Sequence, residues 1–279
     1  MIFSNACSTS RQAVQPDADQ YLYPEELTKL PGKIDESSGL EYVDGLYYTI
    51  EDSGNSDDLF AVDAKGEIIK EVKVKDAKNE DWEDIAYANG TFYIGDFGNN
   101  VGNRDDLIVY AVTETDGDKA DNKQIEFTYA NQTNFKKQNH SHRYDCEAMV
   151  ATDEKLLLFT KDWLDGNTEL YELKLDSEND QTLSPVDSLS VGALITGADY
   201  DEGSNTLVLC GYMDWKNYVW VFKNSKPGTY FSKNMKKYEL YGLKNAQVEG
   251  ITFIDANNIA VSTEETDAFQ EQIWTVTIQ

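Results

Sequence analysis

Glu83-Asp84-Ile85 is one copy of a short signature, a polar residue, a small one and an apolar one, that recurs as Ser38-Gly39-Leu40, Glu147-Ala148-Met149, Thr196-Gly197-Ala198 and Glu249-Gly250-Ile251. Successive copies lie 45, 64, 49 and 53 residues apart, close to the length of a four-stranded propeller blade. Each copy opens a series of short segments rich in Val, Ile, Tyr and Phe and separated by Gly, Asn and Asp turns, the pattern of successive antiparallel strands. In the second repeat these are residues 85–88, 91–96, 107–114 and 123–129. The last repeat stops after its third segment, 272–278, while residues 25–34 stand unpaired before the first signature. Making 25–34 the outer strand of the last repeat removes two open sheet edges at once. The expectation is therefore an all-β chain, a β-propeller of five four-stranded blades closed by its N-terminal strand. Six blades are the alternative that the 64-residue interval leaves open.

Composition agrees with one folded domain over residues 21–279. The 279 residues are 40% hydrophobic and 12% aromatic, with 17 tyrosines, too rich in core-forming side chains for a disordered chain. The net charge of -27, from 51 acidic against 24 basic residues, repels phosphate backbones and attracts cations. Nucleic acid is thereby excluded as a partner, and a monomer is expected. Cys146 and Cys210 are too few for a disulfide framework and lack metal-site spacing, so they read as small buried hydrophobes.

The first twenty residues read differently. Met1-Ile2-Phe3-Ser4-Asn5-Ala6-Cys7 puts a small residue before a cysteine after a short apolar start, and the polar stretch Ser8 to Gln20 follows as a tether. This resembles the cleavage end of a bacterial lipoprotein signal, although Ser4 stands where Leu is usual and no basic region precedes it. Residues 1–20 are thus expected to be a signal remnant and tether, with a lipid on Cys7 attaching the protein to the membrane of the bacterial cell envelope, outside the cytoplasm.

At its signatures the chain resembles the SdiA-regulated family of bacterial propellers, in which a Ser-Gly-Leu opening is followed by Asp-x-Glu-Gly-Ile-Ala repeats. The matching stretches are Ser37-Ser38-Gly39-Leu40-Glu41-Tyr42, Asp81-Trp82-Glu83-Asp84-Ile85-Ala86 and Val248-Glu249-Gly250-Ile251-Thr252. The resemblance implies an envelope-associated propeller, in some members with a calcium ion. Asp84 stands where Gly is usual, and Thr196 where the fourth copy should carry Glu. A weaker likeness, of fold alone, runs to calcium-dependent propeller lactonases and phosphatases.

The start of a blade's innermost strand and the end of its antiparallel neighbour share one rim of the central channel. That rim collects Ser38, Glu83, Glu147, Thr196 and Glu249 with Asp52, Asp96, Asp162, Gly211 and Glu264. Converging carboxylates raise one another's pKa or recruit a cation, and an oxygen-rich ring suits Ca²⁺. A calcium ion held by Glu83, Glu147 and Glu249 is the expectation. A residue repeated in every blade can instead serve each blade, and the acids ending the second strands can simply shape turns.

Residues that do not repeat are the candidates for catalysis. His140 and His142, the chain's two histidines, lie in the loop entering the third signature and are candidate general bases. Arg104, in the loop after Asp96, either pairs with a rim acid or grips an anionic group. Trp163, Trp215 and Tyr212 lie near the same end as possible stacking surfaces, whereas Trp82 reads as packing. Phosphate loops, the His-Glu-x-x-His zinc motif and the Gly-x-Ser-x-Gly elbow are missing. The functional expectation is an envelope binding or scaffold propeller with an acidic, calcium-holding mouth for a small-molecule, glycan or protein ligand. The alternatives are a calcium-dependent hydrolase of lactones or phosphoesters and, less favoured, a glycan-active propeller. Binding ranks above catalysis because the axial set is repeat-derived, and catalytic groups normally break a repeat.

Overall fold

The signature is a β-bulge. In the computed structural model, pairing between a blade's innermost and second strands skips Glu83 between Trp82 and Asp84, Glu147 between Cys146 and Ala148, Thr196 between Ile195 and Gly197, and Glu249 between Val248 and Gly250. In the first blade the shift falls between Ser38 and Glu41. A bulge leaves its extra residue unpaired and re-aims that side chain, which is why a polar residue recurs in blades 2 to 5; in blade 1 Ser38 stays paired with Ile50, and Gly39 and Leu40 are skipped.

The structure describes residues 21–113, 115–266 and 269–278; the expected tether and Cys7 lie outside them. The described residues form five blades. From the axis outward, blade 1 runs Ser37–Val43, Leu46–Glu51, Asp58–Val62 and Ile68–Val74, and blade 2 Trp82–Ala88, Thr91–Asp96, Leu107–Val112 and Asn122–Tyr129. Blade 3 runs Asp145–Ala151, Lys155–Lys161, Asn167–Lys174 and Asp187–Ser190, and blade 4 Leu194–Asp201, Thr206–Met213, Lys216–Lys223 and Asn234–Leu240. Blade 5 takes Val248–Asp255, Asn258–Thr263 and Gln272–Thr277 from the end of the chain, and Glu25–Lys29 from its start as the outer strand. The expected closure is thus present, with five blades and not six. A fifth, parallel strand unforeseen from the sequence flanks three blades: Lys119–Ala120 beside blade 1, Gln181–Leu183 beside blade 2 and Tyr21–Leu22 beside blade 4.

The core is five cores, one between each pair of neighbouring blades. Successive residues of a strand point to opposite faces, and both faces of a blade are covered. In blade 3, Leu156 and Leu158 join the cluster shared with blade 2, whereas Leu157 and Phe159 join the one shared with blade 4. This accounts for continuous apolar runs where a one-sided sheet would alternate. Trp82 is fully buried between blades 1 and 2, and Cys146 and Cys210 are buried free thiols.

Polar latches join the innermost strands. Ser38 Oγ donates to the Glu83 carbonyl at 2.6 Å, and Thr196 Oγ1 to the Val248 carbonyl at 2.5 Å. The Tyr87 amide donates to Glu41 at 2.9 Å, Met149 to Asp84 at 2.6 Å, Phe253 to Asp199 at 2.6 Å and Tyr42 to Thr252 Oγ1 at 3.1 Å. Thr196 and Asp84, which depart from the Glu and Gly of most signatures, therefore both make junctions between blades. Gly39 shows how tight such a junction is. Its φ of 65° is left-handed, and a Cβ there would lie 2.6 Å from the Ile85 nitrogen of blade 2. Gly39→Ala is expected to lower stability by about 2–3 kcal/mol through strain and overpacking. Urea unfolding measures it, and a loss under about 0.5 kcal/mol would show that the junction yields.

Candidate cation site at the channel mouth

Pairing fixes which side chains meet at the rim. Trp82 lies opposite Asp96, Asp145 opposite Lys161, Val248 opposite Thr263, and Ser37 opposite Glu51. The bulges add Glu83, Glu147 and Glu249 to this mouth, but the three carboxylates enter three different surroundings.

Glu83 joins Asp52, which follows the second strand of blade 1, and Asp81, which precedes the innermost strand of blade 2. One carboxylate oxygen from each lies within 4.8 Å of the other two. Glu83 is buried, and its Oε1 has no hydrogen-bond partner. Gly98 closes this pocket from behind, where any Cβ would run into Glu83 Oε1 and Asp81 Oδ2. Burial, then Asp52 and Asp145, push the Asp81 carboxyl up to about 7. Burial and the neighbouring Glu147, Asp52 and Asp81 push Glu83 well above the usual carboxylate range. Asp52 also rises through burial, against the pull of the Ser53 amide and Lys161. An all-oxygen donor set with an unsatisfied buried carboxylate fits a hard cation such as Ca²⁺.

Glu147 is not free. It forms a buried ion pair with Lys161, whose Nζ also lies 4.8 Å from the Trp163 ring centroid and 5.4 Å from that of Tyr212. Burial disfavours the ammonium, but Glu147 with Tyr212 and Glu249 outweighs it and holds Lys161 above its ordinary pKa. Removing one member of such a pair strands a buried charge. Lys161 was missed from sequence because it reads as the polar end of the apolar strand Lys155–Lys161. Trp163 Nε1 donates to Asp145 Oδ2 at 2.6 Å, which fixes this wall.

Glu249 stands with Glu264 on the blade 5 side. The Gln247 amide nitrogen donates to Glu264 at 2.8 Å and lies 3.4 Å from Glu249. Burial, followed by Glu264, pushes Glu249 up to about 8; burial, followed by Asp52 and Glu147, does the same to Glu264. The structure therefore gathers Glu83 with Asp52 and Asp81, pairs Glu147 with Lys161, and leaves Glu249 with Glu264. Asp81 opens the quoted stretch Asp81-Trp82-Glu83 but precedes the repeated signature, so it was not among the expected ligands.

The other candidates are engaged nearby. Arg104 pairs with Asp96 at 2.9 Å and Asp106 at 3.1 Å and donates to the Gly98 carbonyl at 3.0 Å, so it braces the loop behind Glu83. His142 is buried, accepts the Tyr144 amide on Nδ1 at 3.1 Å and packs beneath Gly102. His140 stacks on Trp163 with centroids 4.1 Å apart. Asp162 accepts the Leu164 and Asp165 amides, the turn-shaping role open to a strand-ending acid. Trp215 stands exposed on the rim of blade 4.

No family model and no curated relative matches the sequence. Solved structures match by shape. The crystal structure of Myxococcus xanthus glutaminyl cyclase aligns with a TM-score of 0.57 at 10% identity, over 93% of this chain and 99% of that one. A glucose dehydrogenase aligns at 0.55 and 9% identity, over 92% and 99%. A hypothetical protein from Leishmania major aligns at 0.50 and 13% identity, over 92% and 90%. At such identities the likeness is one of fold, and the fold it shows is the β-propeller.

Proposed function

We propose that the chain is a binding propeller whose mouth takes Ca²⁺ on Asp52, Asp81 and Glu83 and presents the loaded mouth to a ligand. The observation that carries this reading is the buried carboxyl of Glu83, whose Oε1 has no hydrogen-bond partner, grouped within 4.8 Å of carboxylate oxygens of Asp52 and Asp81. A buried acceptor without a donor is costly, and a cation satisfies it while offsetting the repulsion among the three acids. The resemblance to SdiA-regulated propellers and the Cys7 context suggest an envelope protein. Binding is favoured over hydrolysis because Arg104 is tied to two acids and His142 is buried against Gly102.

A cation that binds only the folded state stabilises it by about 2.7 kcal/mol at a hundredfold excess over Kd. At a few degrees per kcal/mol this raises Tm by about 5 °C or more. Added Ca²⁺ is expected to give that rise over the chelator-treated protein, Glu83→Gln to abolish it, and Glu249→Gln to retain most of it. An unchanged Tm in the parent protein, or an equal rise in Glu83→Gln, overturns the assignment.

A further inference from the structure

The mouth face differs from the opposite face in what it exposes. In every blade this face carries the start of the innermost strand, the end of the second, the start of the third and the end of the fourth. Eight large apolar side chains are exposed among the described residues, and six stand on this face or beside its edge: Tyr21, Tyr23, Phe135, Leu164, Trp215 and Tyr241. Leu164 and Trp215 occupy the turns between the second and third strands of blades 3 and 4. Tyr241 follows the outer strand of blade 4, and Tyr21–Leu22 runs parallel to that strand, which carries Tyr23 to the same end. The three tyrosines pack on one another, with centroid separations of 5.9 Å for Tyr21–Tyr241 and 5.4 Å for Tyr23–Tyr241.

Trp215 is held outward by its backbone. Asp214 and Trp215 have φ values of 51° and 63°, the pair of left-handed residues of a type I′ hairpin turn. Asn and Gly normally fill such a turn, and a bulky residue there is an outlier. Its cost is accepted at a site where Trp215 is 64% exposed. Exposed clusters of Tyr and Trp are what protein interfaces are built on.

The centre of the same face is acidic. Glu83 offers its buried unpartnered oxygen, and Glu249 with Glu264 has the neutral Gln247 amide between them. Lys161 shows which group suits this mouth: its ammonium sits against Glu147 and over Trp163 and Tyr212. An anionic lipid surface is disfavoured by the net charge of -27.

We infer that the mouth face docks a protein partner through a basic segment, whose lysine or arginine enters beside Glu249 and Glu264 while its apolar neighbours cover Leu164, Trp215 and Tyr241. This rests on the reading of the chain as a binding propeller, but not on its cation. An arriving ammonium or guanidinium favours the ionised form of Glu249 and Glu264, which then supply attraction and orientation, and the aromatic rim supplies the area removed from water.

The test uses the full chain and a fluorescein-labelled nonapeptide of alternating lysine and leucine, read by anisotropy, with a glutamate-for-lysine peptide as comparison. The lysine peptide is expected to bind, more weakly as salt rises, and the glutamate peptide not to bind. Trp215→Ser with Tyr241→Ser, and separately Glu264→Gln, are expected to weaken binding at least about tenfold, which is about 1.4 kcal/mol. Ile69→Ser, an exposed apolar residue toward the opposite face, is expected to change nothing. Far-UV circular dichroism checks that the rim variants are folded. Binding that persists in chelator and in Glu83→Gln supports the docking surface even if the cation assignment fails. No binding of the lysine peptide, equal binding of the glutamate peptide, full affinity in folded rim variants, or co-sedimentation with phosphatidylcholine vesicles that depends on Trp215 overturns the inference.

Discussion

Deleting residues 1–34 is expected to leave a chain that aggregates instead of folding to a monomer. The deletion removes Glu25–Lys29, the outer strand of blade 5, and Tyr21–Leu22 from the edge of blade 4. It also takes buried Leu22, Leu30 and Ile34 out of two inter-blade cores. Each buried aliphatic side chain lost with its cavity costs about 2–5 kcal/mol, so three approach the whole stability of a typical domain, about 5–15 kcal/mol. The freed edge of Gln272–Thr277 would then be open to pairing between chains. Ile34→Ala is the graded version, with an expected loss of about 2–4 kcal/mol in urea unfolding. A truncated chain that elutes as a monomer and melts with the full-length protein would show that closure of the ring does not depend on this strand.

That closure was legible because it follows from counting. Five signatures, a last repeat one strand short and an unpaired β-type segment at the other end admit few arrangements. The signature itself was legible as a marker but not as a bulge, because a skipped pairing is a relation between two strands. For the same reason Ser38 and Thr196, aligned in sequence with three glutamates, turn out to donate to neighbouring blades. The parallel fifth strands escaped notice because two or three residues, such as Lys119–Ala120, carry no periodicity.

The candidate site was legible as a region and not as a set of partners. Sequence placed Glu83, Glu147 and Glu249 on one mouth, where the structure finds them. It could not separate them, since their surroundings come from neighbouring strands and the loops beside them: Asp52 of blade 1 and Asp81 for Glu83, Lys161 on the second strand for Glu147, Gln247 and Glu264 for Glu249. Arg104 and the Gly98 loop show the same limit. Their spacing says that a turn follows Asp96 and leaves Arg104 to pair with a rim acid or to grip an anion; the fold chooses the pairing, with Asp96, and brings Gly98 against Glu83. Repetition sets the positions around the axis, and the residues that break the repeat decide what each position does.

The buried acids, most of them at the mouth and Asp199 between blades 4 and 5, give the protein an unusual dependence on pH. In chelator, its stability is expected to fall as pH rises from about 4.5 to about 8, where many proteins are near their maximum. Burial is the leading cause of every shift involved: Asp199 is pushed up to about 6, Asp81 and Glu271 to about 7, and Glu249 and Glu264 to about 8. In the unfolded chain these groups titrate near 4. Between the unfolded and folded values the native state holds more protons than the unfolded state, so raising the pH favours unfolding. The stability these groups contribute is fully present below about pH 4 and is lost once pH has passed through about 8. For the buried Glu249 alone the span corresponds to a few kcal/mol, and Glu249→Gln, which cannot ionise, should flatten the upper part of the slope. Urea midpoints at intervals from pH 5 to pH 8.5 measure it. Ca²⁺ prefers the ionised carboxylates, so its stabilising effect should be larger at pH 8 than at pH 5 and should oppose the slope. A stability that climbs steadily from pH 5 to pH 8 in chelator would mean that the mouth is open enough to water for its carboxylates to ionise at ordinary values, and both the buried acidic mouth and the cation site argued from it would fall.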